Sequence, residues 1–136
     1  MITKKILDEL TYAIIGCAIE VHKNLGPGLL ESVYQKCFNR ELSVKNFSFM
    51  SQVFTPINYK GVILDADLRL DLLVENALIV ELKAIEGMLP IHEAQLLTYM
   101  KLLQKPKGIL INFNCTNIFK EGQKTLVNEY CAALPA

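Results

Sequence analysis

From Leu70 to Ala84 the chain reads LDLLVENALIVELKA, two strand-forming runs around Glu75-Asn76-Ala77, and the pattern leaves little freedom in how they pair. Leu68, Leu70, Leu72 and Val74 alternate with Arg69, Asp71 and Leu73; Leu78, Val80, Leu82 and Ala84 alternate with Ile79, Glu81 and Lys83. Successive side chains on a strand point to opposite faces, so a slip of one residue would expose an entire apolar set. The two apolar faces must therefore coincide. Only registers that place Asp71 on the same side as Glu81 satisfy this. The simplest is a three-residue loop, Glu75-Asn76-Ala77, with Val74 opposite Leu78, Asp71 opposite Glu81 and Arg69 opposite Lys83.

Two facing carboxylates repel, and burying them without a partner is costly. A hard divalent cation between them resolves the conflict. Mg²⁺ is held through one or two carboxylates while keeping several waters, which leaves places for phosphate oxygens. Lys83, two residues beyond Glu81 on the same face, is in reach to orient a water or to stabilise charge developing on phosphorus. This layout suits metal-assisted phosphodiester cleavage. It suits equally well an inert surface strand pair in which Glu81 is salt-bridged to Lys83 or Arg69.

The rest of the chain reads mainly as helices. Apolar residues at Ile6, Leu10, Ile14, Cys17, Ala18, Val21 and Leu25 predict a helix from about Thr3 to Leu25, stopped by Gly26-Pro27-Gly28. A second is expected from about Leu29 to Leu42, with Leu30, Val33, Cys37 and Phe38 facing inward. Strands follow at about Gln52 to Tyr59, Val62 to Val74 and Leu78 to Ala84. The first two turn at Lys60-Gly61, and Pro56 marks the first as an edge. Pro90 opens a third helix to about Leu103, on which Ile91, Leu96, Met100 and Leu103 suit the core. A strand from Gly108 to Phe113 and a helix from about Glu121 to Ala133 complete the order. Together they predict an α/β domain with a mixed central sheet flanked by helices.

Composition bounds what such a fold can do. With 136 residues, 51% of them hydrophobic and 21% charged, one domain spanning residues 1–136 with a sizeable core is expected. Lys and Arg number 14 and so do Asp and Glu, so no net positive field advertises a polyanion, although a local basic patch would serve. Cys17, Cys37, Cys115 and Cys131 lie far apart with no CxxC pair, as reduced thiols do. Near the N-terminus only TYAIIGCAI is uncharged, too short to span a bilayer. A cytoplasmic protein without membrane contact is expected.

Asp71 followed across a hairpin by Glu81-Leu82-Lys83 resembles the motif of the PD-(D/E)XK nuclease superfamily, and GLLESVY, from Gly28 to Tyr34, resembles the signature of its GxxExxY branch. VHKNLGPGLLESVY, the Tyr59-Lys60-Gly61 turn and IHEAQLLTYMK are also similar to that family, so the resemblance runs from about Val21 to Phe113. One departure is Leu70, which stands where the motif has proline.

The resemblance implies a restriction-endonuclease-like core and a phosphodiesterase that uses Mg²⁺ or Mn²⁺ and acts on nucleic acid. By it, Asp71 and Glu81 would ligate the metal with the backbone carbonyl of Leu82, Glu31 would approach it directly or through water, and Lys83 would assist the attacking water. Gln95 and Tyr99 resemble the QxxxY motif of RecB-like nucleases, in which the glutamine lies near the metal and the tyrosine holds substrate or local geometry. His92 shares their helix face and is a candidate proton shuttle or phosphate contact; Arg69 and Lys101 are candidate phosphate contacts. For these three, a solvated surface is the plainer reading. Glu31 alone would read as an acid suited to a helix N-terminus. Gly28 is expected to permit the tight entry into that helix, and Tyr34 either packs in the core with a polar handle or reaches the substrate.

Two other functions fit the same residues. One is a binding module for nucleic acid or protein that keeps the fold without catalysis. The other is hydrolysis of a smaller phosphate compound. A domain this small would grip a duplex more easily as a homodimer or beside a partner protein.

Overall fold

A computed structural model describes residues 1–65 and 68–136. Helix α1 (Lys4–Leu25) begins where the Thr3 hydroxyl accepts the Ile6 N–H at 3.1 Å, capping an otherwise unpaired donor. It ends at Gly26, in the left-handed region with φ 69°. Its buried stripe includes Leu7, Leu10, Ile14, Cys17, Ala18 and Val21. Ile6, expected inside, is exposed, and its neighbour Leu7 takes the inward place. Helix α2 (Glu31–Val44) buries Tyr34, Phe38 and Leu42, four residues apart. The expected inward residues Leu30 and Val33 are exposed instead, because the Tyr34 ring stacks on Phe113 with centroids 4.4 Å apart and sets the helix's rotation.

Strand β1 (Phe49–Phe54) is followed by a hairpin of β2 (Ile57–Tyr59) and β3 (Val62–Leu64), which forms a separate two-stranded sheet. Lys60 and Gly61, at φ 50° and 84°, make its turn, the positive-φ pair that matches strand twist. The strands expected at Gln52 to Tyr59 and Val62 to Val74 are thus each divided; residues 66 and 67, within the latter, lie outside the described residues. Then come β4 (Arg69–Val74), β5 (Leu78–Lys83), α3 (Pro90–Leu102), β6 (Lys107–Asn112), β7 (Gln123–Val127) and the single turn α4 (Glu129–Ala132).

The main sheet has the order β1-β4-β5-β6-β7, with β1 at an edge. Only β5 and β6 run parallel among its neighbours, and α3 supplies the crossover that a parallel pair requires. α1 and α2 cover one face, packing on Leu72, Val74, Leu78, Val80, Ile109 and Ile111. On the other face α3 sets Leu96 and Met100 against Leu73, Ile79 and Leu110. Each such buried aliphatic side chain stabilises the fold by roughly 1.5–3 kcal/mol. α3 lies close to the sheet because β6 offers a glycine beneath it. A β-carbon on Gly108 would fall 2.6 Å from Leu96 Cδ1 and 3.0 Å from Met100 Sδ.

Two departures from the sequence reading stand out. Leu70, expected beside Leu72 and Val74, packs with Leu73 and Ile79 under α3, so the alternation of β4 shifts by one at Asp71. The helix expected from about Glu121 to Ala133 is instead a π-helical turn (Ile118–Gly122), β7 and α4. β6 is buried along its length and needs a partner on its outer side, which β7 provides while Leu126 packs into the α3 cluster. That pairing outweighs local pattern. Among the described residues no helix is long and apolar enough to cross a membrane.

Candidate functional site

The loop Glu75-Asn76-Ala77 turns with Glu75 and Asn76 at φ 51° and 54°, and the Ala77 N–H donates to the Val74 carbonyl at 3.0 Å. This sets Val74 opposite Leu78, Leu73 opposite Ile79 and Leu72 opposite Val80. There the ladder ends. One step further, where the register brings Asp71 to Glu81, side chains replace backbone partners. The Leu82 N–H donates to Asp71 Oδ2 at 2.8 Å and the Asp71 N–H donates to Glu81 Oε1 at 3.2 Å. Each carboxylate reaches towards the opposite strand, and the two groups meet where the strands part. The other neighbour of β4 skips the same level: Ser51 pairs with Leu72 and Val53 with Leu70, but Gln52, held at φ 55°, leaves Asp71 unpaired. The expected pairing of Arg69 with Lys83 does not form; Arg69 pairs with Phe54 of β1 because the β4–β5 ladder has already ended.

Charge and burial follow from this placement. Glu81 is only 6% exposed. Its acid is pushed up to about 9, by burial first and then by the charge and hydrogen bonding of Asp71, with Lys83 opposing. The Glu31 carboxyl, at the start of α2, is raised by partial burial and then by the Asp71 charge, again against Lys83. On α3 the Tyr99 hydroxyl is raised by burial and by the charges of Glu81 and Asp71. The acid pair is thus felt from the helices on both faces of the sheet. Among the described residues the ion pairs are Lys107 with Asp8 and Lys124 with Glu93, so the inert salt-bridged hairpin is not formed among them.

The donor chemistry fits a hard cation: two carboxylates share one gap, and the buried one favours a proton that a cation would replace. The fit is incomplete in one respect. Among the described residues no three His, Cys, Asp or Glu side chains converge as a cage, so Glu31 is coupled to the pair by charge without being gathered into it.

The remaining candidates divide clearly. The Tyr34 ring is fully buried, and its hydroxyl donates to the Gly26 carbonyl at 2.6 Å and accepts the Leu29 N–H at 3.2 Å. Of its two expected roles the packing one is what its enclosed ring and engaged oxygen serve. It ties down the turn in which Gly28, at φ 99°, leads the chain to Glu31. His92 Nδ1 accepts the Leu89 N–H at 2.9 Å while the His92 N–H donates to the Leu89 carbonyl at 3.0 Å, so this nitrogen caps α3 and is not free to shuttle protons. Gln95 is exposed on α3, Tyr99 is half-buried, and Arg69 is exposed.

Two features escaped the sequence reading. Buried Asn112 donates from Nδ2 to the Ile85 carbonyl at 2.9 Å and accepts the Ile85 N–H on Oδ1 at 3.1 Å, while the Phe113 N–H donates to the Lys83 carbonyl at 2.9 Å. These bonds hold the exit of β5. A polar residue ending an apolar run was the signal. The second is a groove of about 430 Å³ between α2, β1 and β4, bordered by Glu31, Lys36, Gln52, Arg69 and Asp71. Nothing in the pattern announced it.

The sequence matches the family model of the PD-(D/E)XK nuclease superfamily over residues 8–125, and the chain belongs to that family. Its mixed central sheet flanked by helices is the restriction-endonuclease-like fold. Members of the superfamily are in general nucleases, hydrolysing phosphodiester bonds and typically using divalent metals. The crystal structure of SSO0001 is similar at a TM-score of 0.45 and 18% identity, over 82% of this chain and 61% of that one. This chain therefore spans less than two thirds of that relative. No curated protein matches it.

Proposed function

We propose that the protein is a Mg²⁺- or Mn²⁺-dependent nuclease of the GxxExxY branch, with its 136 residues acting as one domain on nucleic acid. The observation that carries the reading is the meeting of Asp71 and Glu81 where β4 and β5 part. Asp71, Glu81 and the carbonyl of Leu82 would hold the ion, with Glu31 joining directly or through water. When bound, such an ion polarises the scissile phosphate and lowers the pKa of a water. Lys83 orients the attacking water and offsets charge developing on phosphoryl oxygens. Gln95 gives that water a second hydrogen-bonding partner. Tyr99 and Arg69 keep the substrate aligned so that attack is effectively unimolecular. The four unpaired cysteines suit a reducing cytoplasm.

Glu81→Gln and Lys83→Ala are expected to keep the circular dichroism of the parent and to abolish Mn²⁺-stimulated cleavage of labelled single- and double-stranded DNA and RNA. Undiminished cleavage in either variant would sink the assignment. A second reading, a binding module without catalysis, is favoured by the absence of a three-ligand cluster among the described residues. Calorimetric titration with Mn²⁺ separates the two: a nuclease loses binding in Asp71→Asn, whereas a binding module titrates alike in both forms.

A further inference from the structure

The groove beside Asp71 carries, besides Glu31, Arg69 and Asp71, side chains that hydrolysis leaves unused. Gln35, Lys36 and Asn39 of α2 face Ser51 and Gln52 of β1 across it. The two walls are joined by a hydrogen-bonded row: Gln35 Nε2 donates to Asn39 Oδ1 at 2.9 Å, and Asn39 Nδ2 donates to Ser51 Oγ at 3.3 Å. Lys36 and Arg69 add two exposed cations, and the ion pairs of the described residues lie elsewhere. The Arg69 guanidinium stands 5.9 Å from the centroid of the Phe54 ring, which is 61% exposed. Gln52 is held in the left-handed region with its backbone out of the ladder. Strain of that kind persists where the surroundings impose it and gathers at ligand sites.

We infer that this groove receives a single strand of nucleic acid leading towards the acid pair, with its phosphates on Lys36 and Arg69 and a base on Phe54. A duplex keeps its bases stacked inside and gives the Phe54 ring nothing to cover. A single strand offers both a backbone for the cations and a π-face for the aromatic, the pairing on which strand-binding grooves rely. Amide side chains at Gln35 and Gln52 supply sequence-tolerant hydrogen bonds to sugar and base edges. The balanced net charge agrees, since stacking needs no long-range positive field. The inference rests on the nuclease reading for the strand's destination, but its test needs no cleavage.

Fluorescence anisotropy in EDTA would follow binding of a labelled oligothymidylate of about twelve nucleotides and of a duplex of equal length. The single strand is expected to bind about tenfold more tightly than the duplex. Phe54→Ala should weaken single-strand binding about tenfold without altering its salt dependence. Lys36→Ala should weaken it and reduce the slope of log K against log salt by about 0.7, the share of one phosphate contact. Both positions are exposed, so the variants are expected to keep the circular dichroism of the parent. Duplex binding as tight as single-strand binding, or wild-type affinity and slope in both variants, would overturn the groove assignment. If these differences hold while Glu81→Gln still cleaves, the nuclease reading falls and the groove stands. If cleavage needs Glu81 but both groove variants bind as the parent does, the reverse is true.

Discussion

Glu81 sits beside Asp71 almost without solvent, and its acid is pushed up to about 9, by burial first and then by that neighbour. Its folded pKa therefore lies above the ordinary 4.5, and between those values the folded chain holds more protons than the unfolded one. The stabilisation is fully present below pH 4.5 and is lost as pH rises through about 9. For one group the slope reaches at most about 1.4 kcal/mol per pH unit. Urea denaturation in EDTA between these limits should show stability declining with pH, and Glu81→Gln should flatten the decline. An equal decline in the variant would assign it to another group. At this scale the acid pair was legible, because the two apolar faces and the short loop set the hairpin register up to Leu72 and Val80, one step from the acids. The face of Leu70 was not, since it depends on the left-handed Gln52 in a neighbouring strand. Nor was the helix-capping duty of His92 Nδ1, or which backbone groups the Tyr34 hydroxyl meets, since both lie in turns that no periodicity describes.

Among the elements, α1, α2, α3 and β6 were readable from their apolar spacing and their Gly and Pro boundaries, but β7 was not. A strand whose main stabilisation is an exposed edge of β6 has little pattern of its own. The rotation of α2 was misjudged for a related reason: Leu30 and Val33 look like core, yet the Tyr34–Phe113 stack turns them outward. The seat of α3 on the sheet makes a sharper expectation. Leu96 and Met100 are fully buried and have little room to yield to a methyl group at position 108. Gly108→Ala should destabilise by about 1–3 kcal/mol through overpacking, measured by urea titration. Adding Leu96→Val, which removes the δ-carbon in conflict, should recover part of that loss. An unchanged midpoint in Gly108→Ala would mean that the helix lifts away at little cost.

For the molecule as a whole, β5 and β6 form its rigid middle, nearly all of their residues buried, while Tyr59, Val62, Ile63 and Leu64 of the small hairpin stand exposed. Opening free energies should follow that contrast. In native-state hydrogen exchange the amides of Val80, Leu82, Ile109 and Ile111 are expected among the slowest, and those of β2 and β3 among the fastest. Comparable protection in the hairpin would show that it is secured by contacts beyond its own two strands. Central strands also determine what can move near the acid pair. The carboxamide of Asn112 takes both backbone groups of Ile85 and so stands in for a strand beyond the end of β5. The ammonium of Lys83 consequently borrows its steadiness from the next strand over, like a shelf bracketed to the wall behind it.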